Sequence, residues 1–383
     1  MPTSGGSCAP TTRRPSPRRG VPPPRHCATW SRCVASDVDR ERYRLSEARN
    51  DQIFHDLIVP TEYAGRPRQA APVVVFLAAQ TGAGKTATAL MVAQALDRRG
   101  GAIHIDLDVL KPYHPMYPSL MAADDTTAGA YTSIDGRRWM QKAQEWAIDH
   151  RIDVLMESAM RLPDEFEHPA RRFAAAGYRV EVAFLAVPAA LSRLGVLDRY
   201  WTQVAAHGYG RPIDPTIHDA CFEAILREAD AIDLRTVPVH TTSVFRRGNT
   251  SLYLNSREPD GLWRHPPRTA AAIHTERTRT WTPTETRRFA QAARRVHALA
   301  RATVEKEMVE DVIDLARPLL AAPWTNSPLP ATDLLPCLAG GTLAAGFPRP
   351  LQSIATARVR QESNQRMQPP SPPSPHQEGH PRR

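Results

Sequence analysis

The fold is decided by residues 73–86, which read Val73-Val74-Val75-Phe76-Leu77-Ala78-Ala79-Gln80-Thr81-Gly82-Ala83-Gly84-Lys85-Thr86. The first five residues are apolar and three of them are β-branched, which predicts a buried strand. A Gly-containing turn follows, and residues 87–98 have the composition of a helix. Strand, loop and helix in this order are the context in which the pattern G-x-x-x-x-G-K-[ST] binds phosphate. The stretch therefore predicts a nucleotide phosphate site at the end of a buried strand.

The predicted loop binds anions through its backbone and through two side chains. Successive N–H groups converge on one phosphate, and the start of the helix adds its partial positive charge. We expect Lys85 to reach the β- and γ-phosphates of ATP or GTP and the Thr86 hydroxyl to bind Mg²⁺. Ala79 stands where the pattern has its first glycine, and alanine fits there if its φ is negative. The predicted nucleotide-binding residues are Gln80, Thr81, Gly82, Ala83, Gly84, Lys85 and Thr86.

The basic character of the chain is confined to its ends. The net charge is +9. Residues 1–36 hold six Arg and no acidic residue, and residues 351–383 hold five Arg against two Glu. Residues 37–350 are therefore neutral overall, which argues against a nucleic-acid-binding face on the folded part. We expect no specific nucleic-acid partner.

Cysteine usage and hydropathy indicate a cytoplasmic protein. The five cysteines are an odd number without C-x-x-C or metal-ligand spacing, which predicts neither a disulfide framework nor a zinc site. No apolar run approaches the roughly 18 residues that a transmembrane helix needs. The N-terminus has Arg but lacks the apolar segment of a secretory signal. We therefore expect a reduced, cytoplasmic protein without membrane contact.

Composition divides the chain into four predicted segments. Residues 1–36 are rich in Pro, Ser, Gly and Arg and predict a disordered basic tail. Residues 37–260 predict a P-loop domain, and residues 261–322 predict a helical extension. The extension contains the capping box Thr282-Pro283-Thr284-Glu285, which starts a helix. Residues 323–383 predict a Pro-rich, largely disordered tail.

Strands and helices alternate after the loop. Further strands are predicted at Ala102–Asp106, Ile152–Met156 and Tyr178–Val187, and a closing pair at Thr236–Thr242 and Ser251–Asn255. This alternation indicates an α/β fold of the P-loop NTPase type, with a parallel sheet and helices on both faces. Ligands of such sheets bind at the carboxyl ends of the strands. The candidate residues at those ends are Lys85, Asp108, Glu157 and Ser158.

Two carboxylates lie at the end of the second predicted strand. Asp106 and Asp108 are spaced i, i+2, so on a strand they point to opposite sides, and one of them can face the nucleotide. A kinase needs a carboxylate that accepts the proton of the acceptor hydroxyl. In isolation such a pair is usually an N-cap or a solvated pair. Its place one crossover after a phosphate loop raises the catalytic interpretation to equal weight with the structural one.

Three more side chains have types that phosphoryl transfer uses. Glu157 can bind Mg²⁺ through water or hold a substrate hydroxyl, and the alternative is a hydrogen bond to a loop backbone. Arg199 and Arg211 have the guanidinium groups that neutralise charge in the transition state. A lone arginine is more often a surface residue, so position alone does not assign a catalytic role to either arginine.

Taken in order, these motifs resemble the zeta toxin family. The matching stretches are Gln80–Thr86, Ile105–Asp108 with Lys111 and His114-Pro115, Glu157–Arg161, and Ala186–Pro188 with Leu194–Tyr200. The resemblance runs from about Tyr43 to about Asn255 and covers neither tail nor the helix after Thr282.

The resemblance implies a function and a set of roles. Members of that family are P-loop kinases that transfer the nucleotide γ-phosphate to the 3′-hydroxyl of the amino sugar of UDP-N-acetylglucosamine, and many are restrained by a small helical epsilon antitoxin. By resemblance, Lys85 and Thr86 hold the phosphates and Mg²⁺, Asp108 is the general base, and Arg199 and Arg211 stabilise the transferring phosphoryl group. The residues that the resemblance places at the sugar nucleotide are Glu157, Ser158, Ala159 and His114.

The chain also departs from the family pattern. Ala79 replaces a loop glycine, Ala159 stands where a threonine is common, and a carboxylate usual before the third strand is Gln141 in an ungapped reading. These changes spare the phosphate machinery and alter the substrate pocket. Two alternatives therefore stand beside the first interpretation: a phosphotransferase acting on another hydroxyl, such as an antibiotic or another sugar nucleotide, and a nucleotide-binding protein that has lost catalysis. The retained Lys85 and Asp108 argue against a protein that has lost catalysis.

Overall fold

The computed structural model describes residues 39–208, 210, 212–300 and 302–322. The two predicted tails, residues 1–36 and 323–383, lie outside the described residues, and so does Arg211.

A mostly parallel sheet forms the centre of the protein. Its strands are β1 (Val73–Ala78), β2 (Ile103–Ile105), β3 (Val154–Ser158), β4 (Arg179–Ala186), β5 (Thr241–Arg246) and β6 (Thr250–Ser256). They lie in the order β2–β3–β1–β4–β5–β6. Neighbouring strands are parallel except for β5 and β6, which form an antiparallel pair. The carboxyl ends of β1 to β4 therefore meet at one edge, where the sequence places its candidate residues.

Twelve α-helices lie within the described residues. In chain order they are α1 (Glu47–Ile53), α2 (Lys85–Asp97), α3 (Leu107–Leu110), α4 (Tyr117–Ala123), α5 (Asp125–Tyr131), α6 (Ser133–His150), α7 (Glu167–Ala175), α8 (Ala189–His207), α9 (Pro215–Asp233), α10 (Thr269–Thr278), α11 (Pro283–Leu299) and α12 (Thr303–Ala316). A π-helical segment, Phe54–Tyr63, continues α1.

Helices cover both faces of the sheet. Every residue of β1 is buried, and its side chains alternate between two apolar clusters. Phe76 packs in the larger cluster, together with side chains of α6, α7, α9 and α10. Val75 and Leu77 pack on the other face against α2. The α/β class with helices on both faces of a mostly parallel sheet is confirmed.

A second apolar cluster joins the C-terminal helices to the rest of the protein. It contains Leu194 and Trp201 of α8, Trp281, Phe289 of α11 and Val312 of α12. Helix α10, by contrast, contributes to the main cluster beside the sheet. The predicted helical extension is therefore packed on the P-loop domain through two different surfaces.

The predicted strands differ from the observed ones in their bounds: Ile152–Met156 is shifted to Val154–Ser158, and two further differences bear on the site. Thr236–Thr242 was expected to be a strand, but β5 begins at Thr241. Val237 and Val239 are buried in the connection from α9, so their apolar alternation imitates a strand. The second strand ends at Ile105 rather than at Asp106, because Asp106 is the N-cap of α3 and its carboxylate accepts a hydrogen bond from the Asp108 N–H. The two carboxylates are therefore not on opposite sides of a strand.

Candidate active site

The loop between β1 and α2 has the backbone of a phosphate-binding loop. Gly82 and Gly84 have φ values of 75° and 88°, which favour glycine. Ala79 is not among the described residues with positive φ, so the expectation of a negative φ there is confirmed. Lys85 starts α2, and the first N–H groups of a helix have no partner within it. These amides can bind an anion.

The loop lies in backbone contact with α8. A Cβ atom on Gly82 would approach the Ser192 carbonyl oxygen to 2.0 Å, and a Cβ atom on Gly195 would approach the Gly82 oxygen to 2.3 Å. Neither position accepts a larger residue without a shift of the backbone. Helix α8 therefore fixes the place of the phosphate loop.

Of the loop side chains, Gln80 is fully engaged with the protein. It is fully buried, and its amide donates to the Val187 carbonyl at 2.8 Å and to the Ser192 hydroxyl at 3.2 Å. Its amide oxygen accepts from Arg277 at 3.2 Å. Gln80 can therefore bind a nucleotide through its backbone, while its side chain holds the loop in place.

The remaining loop side chains leave polar groups available to a ligand. Thr81 Oγ1 is buried and has no hydrogen-bond partner among the described residues, which fits a loop built to surround phosphate. Thr86 is exposed on the first turn of α2. The ammonium group of Lys85 donates to the Ala79 carbonyl of its own loop at 3.2 Å. Ala83 is buried and its N–H donates to the Gln80 carbonyl at 3.3 Å.

An acidic cluster lies beside the loop at the ends of β2 and β3. Glu157 accepts from the ring of His104 at 3.1 Å. His104, Asp106 and Glu157 each present a ligand atom within 4.8 Å of the others, so these three side chains could hold a divalent cation. Asp108 lies on α3 and is exposed, where an incoming hydroxyl can reach it.

Electrostatic interactions connect the cluster with the loop. Burial raises the pKa of Asp106 to about 7, and the charges of Asp108 and Glu157 add to the rise. Burial also raises the pKa of Glu157, but the hydrogen bond from His104 and the charge of Lys85 outweigh it and hold that pKa below its usual value. Lys85 and the acidic cluster are thus close enough to interact, as a site for phosphoryl transfer requires.

Two of the predicted substrate-contacting residues have other partners. His114 is fully buried, and its ring contacts the Tyr43 carbonyl at 3.0 Å and the Met116 N–H at 3.2 Å. This burial argues against the predicted contact with a sugar nucleotide. The Ser158 hydroxyl donates to the Glu165 carbonyl at 2.8 Å and accepts from the Met160 N–H at 2.9 Å, so it stabilises the turn after β3.

The altered pocket position Ala159 is half-buried next to Glu157 and Ser158, at the carboxyl end of β3. Gln141 is exposed on α6 and its amide donates to Glu145 at 3.3 Å. Its side chain is therefore engaged on its own helix, and the ungapped placement of a family carboxylate at Gln141 stays a prediction.

Arg199 lies on the loop-facing side of α8. Ser192, Gly195 and Val196 of that helix contact the loop, and Arg199 follows one turn later on the same face. The structure thus brings Arg199 toward the phosphate site. Arg211, its predicted counterpart, lies outside the described residues.

The turn between β5 and β6 adds a residue that sequence reasoning did not select. The guanidinium group of Arg247 lies about 3.2 Å from the Cβ position of Gly84. Asn249 holds this turn against α2, since it accepts from the Thr88 hydroxyl at 2.8 Å and donates to the Ala87 carbonyl at 3.2 Å. The Arg-Arg-Gly-Asn run at the end of β5 was a usable signal, because the carboxyl end of each parallel strand in this sheet faces the site.

Fold and loop together define a P-loop protein with a kinase-like site. Residues 60–258, more than half of the chain, match the family model described as Zeta toxin. The protein therefore belongs to the zeta toxin family.

Individual relatives agree with this assignment. Toxin zeta of Enterococcus hirae is 25% identical over 163 residues, which are 43% of this chain and 54% of that protein. Toxin PezT of Streptococcus pneumoniae is 28% identical over 136 residues, 36% of this chain and 53% of that protein. The matches thus span about half the length of these relatives.

A solved structure shows the same fold. It comes from the PezAT chromosomal toxin–antitoxin system of Streptococcus pneumoniae and aligns with a TM-score of 0.57 at 17% identity, covering 67% of this chain and 98% of that chain. Within the described residues, every helix is too short or too polar to cross a bilayer.

Proposed function

We propose that the protein is an ATP-dependent kinase that phosphorylates a hydroxyl of a sugar nucleotide, most specifically the 3′-hydroxyl of the amino sugar of UDP-N-acetylglucosamine. The observation that carries the proposal is the placement of Lys85, on the phosphate loop, within electrostatic reach of Glu157 in the acidic cluster. A cation that binds the donor phosphates next to carboxylates that can receive a proton is the arrangement that phosphoryl transfer needs.

The residues divide the reaction among them. The loop amides and Lys85 bind the β- and γ-phosphates. The carboxylate of Asp108 accepts the proton of the sugar hydroxyl while the oxygen of that hydroxyl bonds to the γ-phosphorus. The bond between that phosphorus and the β–γ bridging oxygen breaks, and ADP leaves. Arg199 and Arg211 offset the negative charge that spreads over the transferring group.

The residues of the site also fit Mg²⁺. The Thr86 hydroxyl is exposed at the start of α2, and carboxylate oxygens of Asp106 and Glu157 lie within 4.8 Å of each other in the acidic cluster. Oxygen ligands of this kind are those that Mg²⁺ prefers. When bound, the ion neutralises charge on the β- and γ-phosphates.

The test is a transfer assay with the full chain. Purified protein is incubated with ATP, Mg²⁺ and a panel of sugar nucleotides, and ADP and the phosphorylated product are measured by chromatography and mass spectrometry. We expect one acceptor to gain a phosphoryl group and the variant Lys85→Ala to transfer none. ATP binding without transfer to any acceptor would instead support the nucleotide-binding protein that has lost catalysis.

Ala159 is the observation that favours an acceptor other than UDP-N-acetylglucosamine. The position directly follows the carboxyl end of β3, and alanine has no hydroxyl to bond a sugar nucleotide. A hydrogen bond to a neutral group is worth about 0.5–1.5 kcal/mol. Ala159→Thr should therefore raise kcat/KM for UDP-N-acetylglucosamine up to about tenfold if that is the acceptor. An unchanged value would favour another sugar nucleotide or an antibiotic hydroxyl.

We further propose that a small helical antitoxin binds the protein and that both act in the cytoplasm, where nucleotide sugars are available. The support is the likeness to a structure from a toxin–antitoxin system. Co-expression with the product of the adjacent reading frame, followed by co-purification and the transfer assay, tests it. An antitoxin should co-purify and suppress transfer.

A further inference from the structure

A buried arginine from the C-terminal part of the chain lies against the phosphate loop. Arg277 belongs to α10, outside the matched residues 60–258, and is 6% exposed. Its guanidinium group donates to the Gln80 amide oxygen at 3.2 Å and to the Phe222 carbonyl at 2.8 Å. It also lies 3.9 Å from the centre of the Phe222 ring. All of these partners are electrically neutral.

The charge of Arg277 is not neutralised by a neighbour. Its Nε is buried without a hydrogen-bond partner among the described residues, and burial lowers the pKa of its guanidinium group to about 10. The adjacent Glu276 is not available, because it pairs with Arg246 at 2.7 Å and Arg279 at 2.9 Å. A buried charge without a counter-ion destabilises a fold, and such sites are often functional.

Gln80 links this cation to a buried chain of hydrogen bonds. The amide group of Gln80 donates to Ser192, whose hydroxyl lies 2.8 Å from His218 Nε2. The other ring nitrogen of His218 lies 2.9 Å from Asp219. This order of Ser, His and Asp is that of a hydrolytic triad, but Ser192 is fully buried and no substrate can reach it. The chain of hydrogen bonds instead fixes the side chain of Gln80, and with it the first part of the loop.

We infer that Arg277 is a positioning residue of the nucleotide site: it orients the phosphate loop through Gln80 and contributes positive potential that the phosphates of a bound nucleotide neutralise. This inference rests on the proposed function. It assigns α10, which lies beyond the family match, to the nucleotide-binding unit.

The experiment measures the Kd of ATP, by calorimetry, for the full-length wild type and for matched methionine variants on the same helix. Arg277→Met removes the charge and should raise the Kd about tenfold, the loss expected for one charge-assisted hydrogen bond. Arg279→Met removes an arginine that pairs with Glu276 and Glu285. It should lower the Tm and leave the Kd unchanged.

Two further readouts separate positioning from packing. Arg277→Lys keeps the charge, so its Kd should lie between those of wild type and Arg277→Met. The dependence of the Kd on salt should weaken in Arg277→Met, because one cation no longer attracts the phosphates. In a double-mutant cycle with Gln80→Met, the two losses should be less than additive, since they act through one contact.

The outcomes are distinct. If the wild type binds no ATP, the proposed function and this inference fail together. If the wild type binds ATP and Arg277→Met has the same Kd and the same salt dependence, the inference alone is overturned and Arg277 serves only packing. Should Arg277→Met not fold, Arg277→Lys and Gln80→Met decide: unchanged Kd values for both overturn the inference, and raised values support it.

Discussion

Lys85 combines a proposed functional role with a small structural one. Its ammonium group donates a hydrogen bond to the Ala79 carbonyl of its own loop at 3.2 Å. Lys85→Ala should abolish phosphoryl transfer and lower the free energy of unfolding by at most about 1 kcal/mol, the value of one ordinary hydrogen bond. ADP release and thermal melts measure the two effects. Turnover at the wild-type rate would exclude the proposed P-loop mechanism.

Replacing the carboxylate of Asp108 on α3 and that of Asp106 at its N-cap by amides should affect kcat to different extents. Asp108→Asn should lower kcat by about 10² or more, the scale of losing a positioned general base, and leave the Kd of ATP near normal. Asp106→Asn retains a good N-cap residue and should have a milder effect on kcat. Steady-state kinetics and calorimetry test the pair. A reversed order would assign the base to Asp106.

Asp106 also predicts a pH dependence of stability. Its pKa is raised from 3.8 to about 7 in the folded protein. Between these values the folded state binds more protons than the unfolded state, so the free energy of unfolding falls as pH rises through this window. Asp106→Asn cannot titrate. Its Tm relative to wild type, measured in EDTA, should therefore be higher at pH 8 than at pH 4, by roughly 2–4 °C for each kcal/mol recovered. A difference in Tm that is the same at pH 4 and pH 8 would contradict the raised pKa of Asp106.

Among the elements, α8 positions the site from one side and holds the C-terminal helices on the other. Gly195→Ala would place a Cβ atom 2.3 Å from the Gly82 oxygen, so the loop or the helix must move. We expect ATP binding to weaken at least tenfold, the cost of about 1.4 kcal/mol. The control Ala205→Gly, on an exposed part of α8, should cost about 1 kcal/mol of stability with no change in ATP binding. Equal Kd values for the two variants would refute the contact.

The second apolar cluster packs α11 and α12 against α8, so these helices contribute to the stability of the fold. Trp281 is 3% exposed and its ring lies 5.1 Å from that of Phe289. Trp281→Ala should lower the free energy of unfolding by about 3–5 kcal/mol. Urea denaturation followed by circular dichroism measures the loss. A change below 1 kcal/mol would mean that this cluster contributes little.

The predictions from sequence were most accurate where the signal is local. β1 and its loop were predicted in place, because an apolar run, two glycines and a Lys-Thr pair are neighbours in the chain. The bounds of β5 were missed, since Val237 and Val239 are buried in a connection and carry the same alternation as a strand. Arg277 could not be found in this way. Its partner Gln80 is 197 residues away, and no local pattern marks such a contact.

At the scale of the whole molecule, the net charge is concentrated at the two ends of the chain. The net positive charge lies in residues 1–36 and 351–383, and the remainder is neutral. Because these segments lack the apolar content to join a core, their deletion should leave phosphoryl transfer at the wild-type rate. The transfer assay on the truncated protein tests this. A folded but inactive product would show that a tail takes part in the reaction.

The contact between Gly82 and Gly195 has a consequence for recognising further members of this architecture in genome sequences. Each glycine excludes a Cβ atom because the backbone of the other segment occupies that space. A replacement at one position therefore cannot be compensated by a smaller residue at the other, and the two positions are not free to co-vary. A glycine in the loop together with a second glycine near the start of the helix after β4 forms a two-site signature, which a search can require even where overall identity has fallen below the level at which alignments are informative.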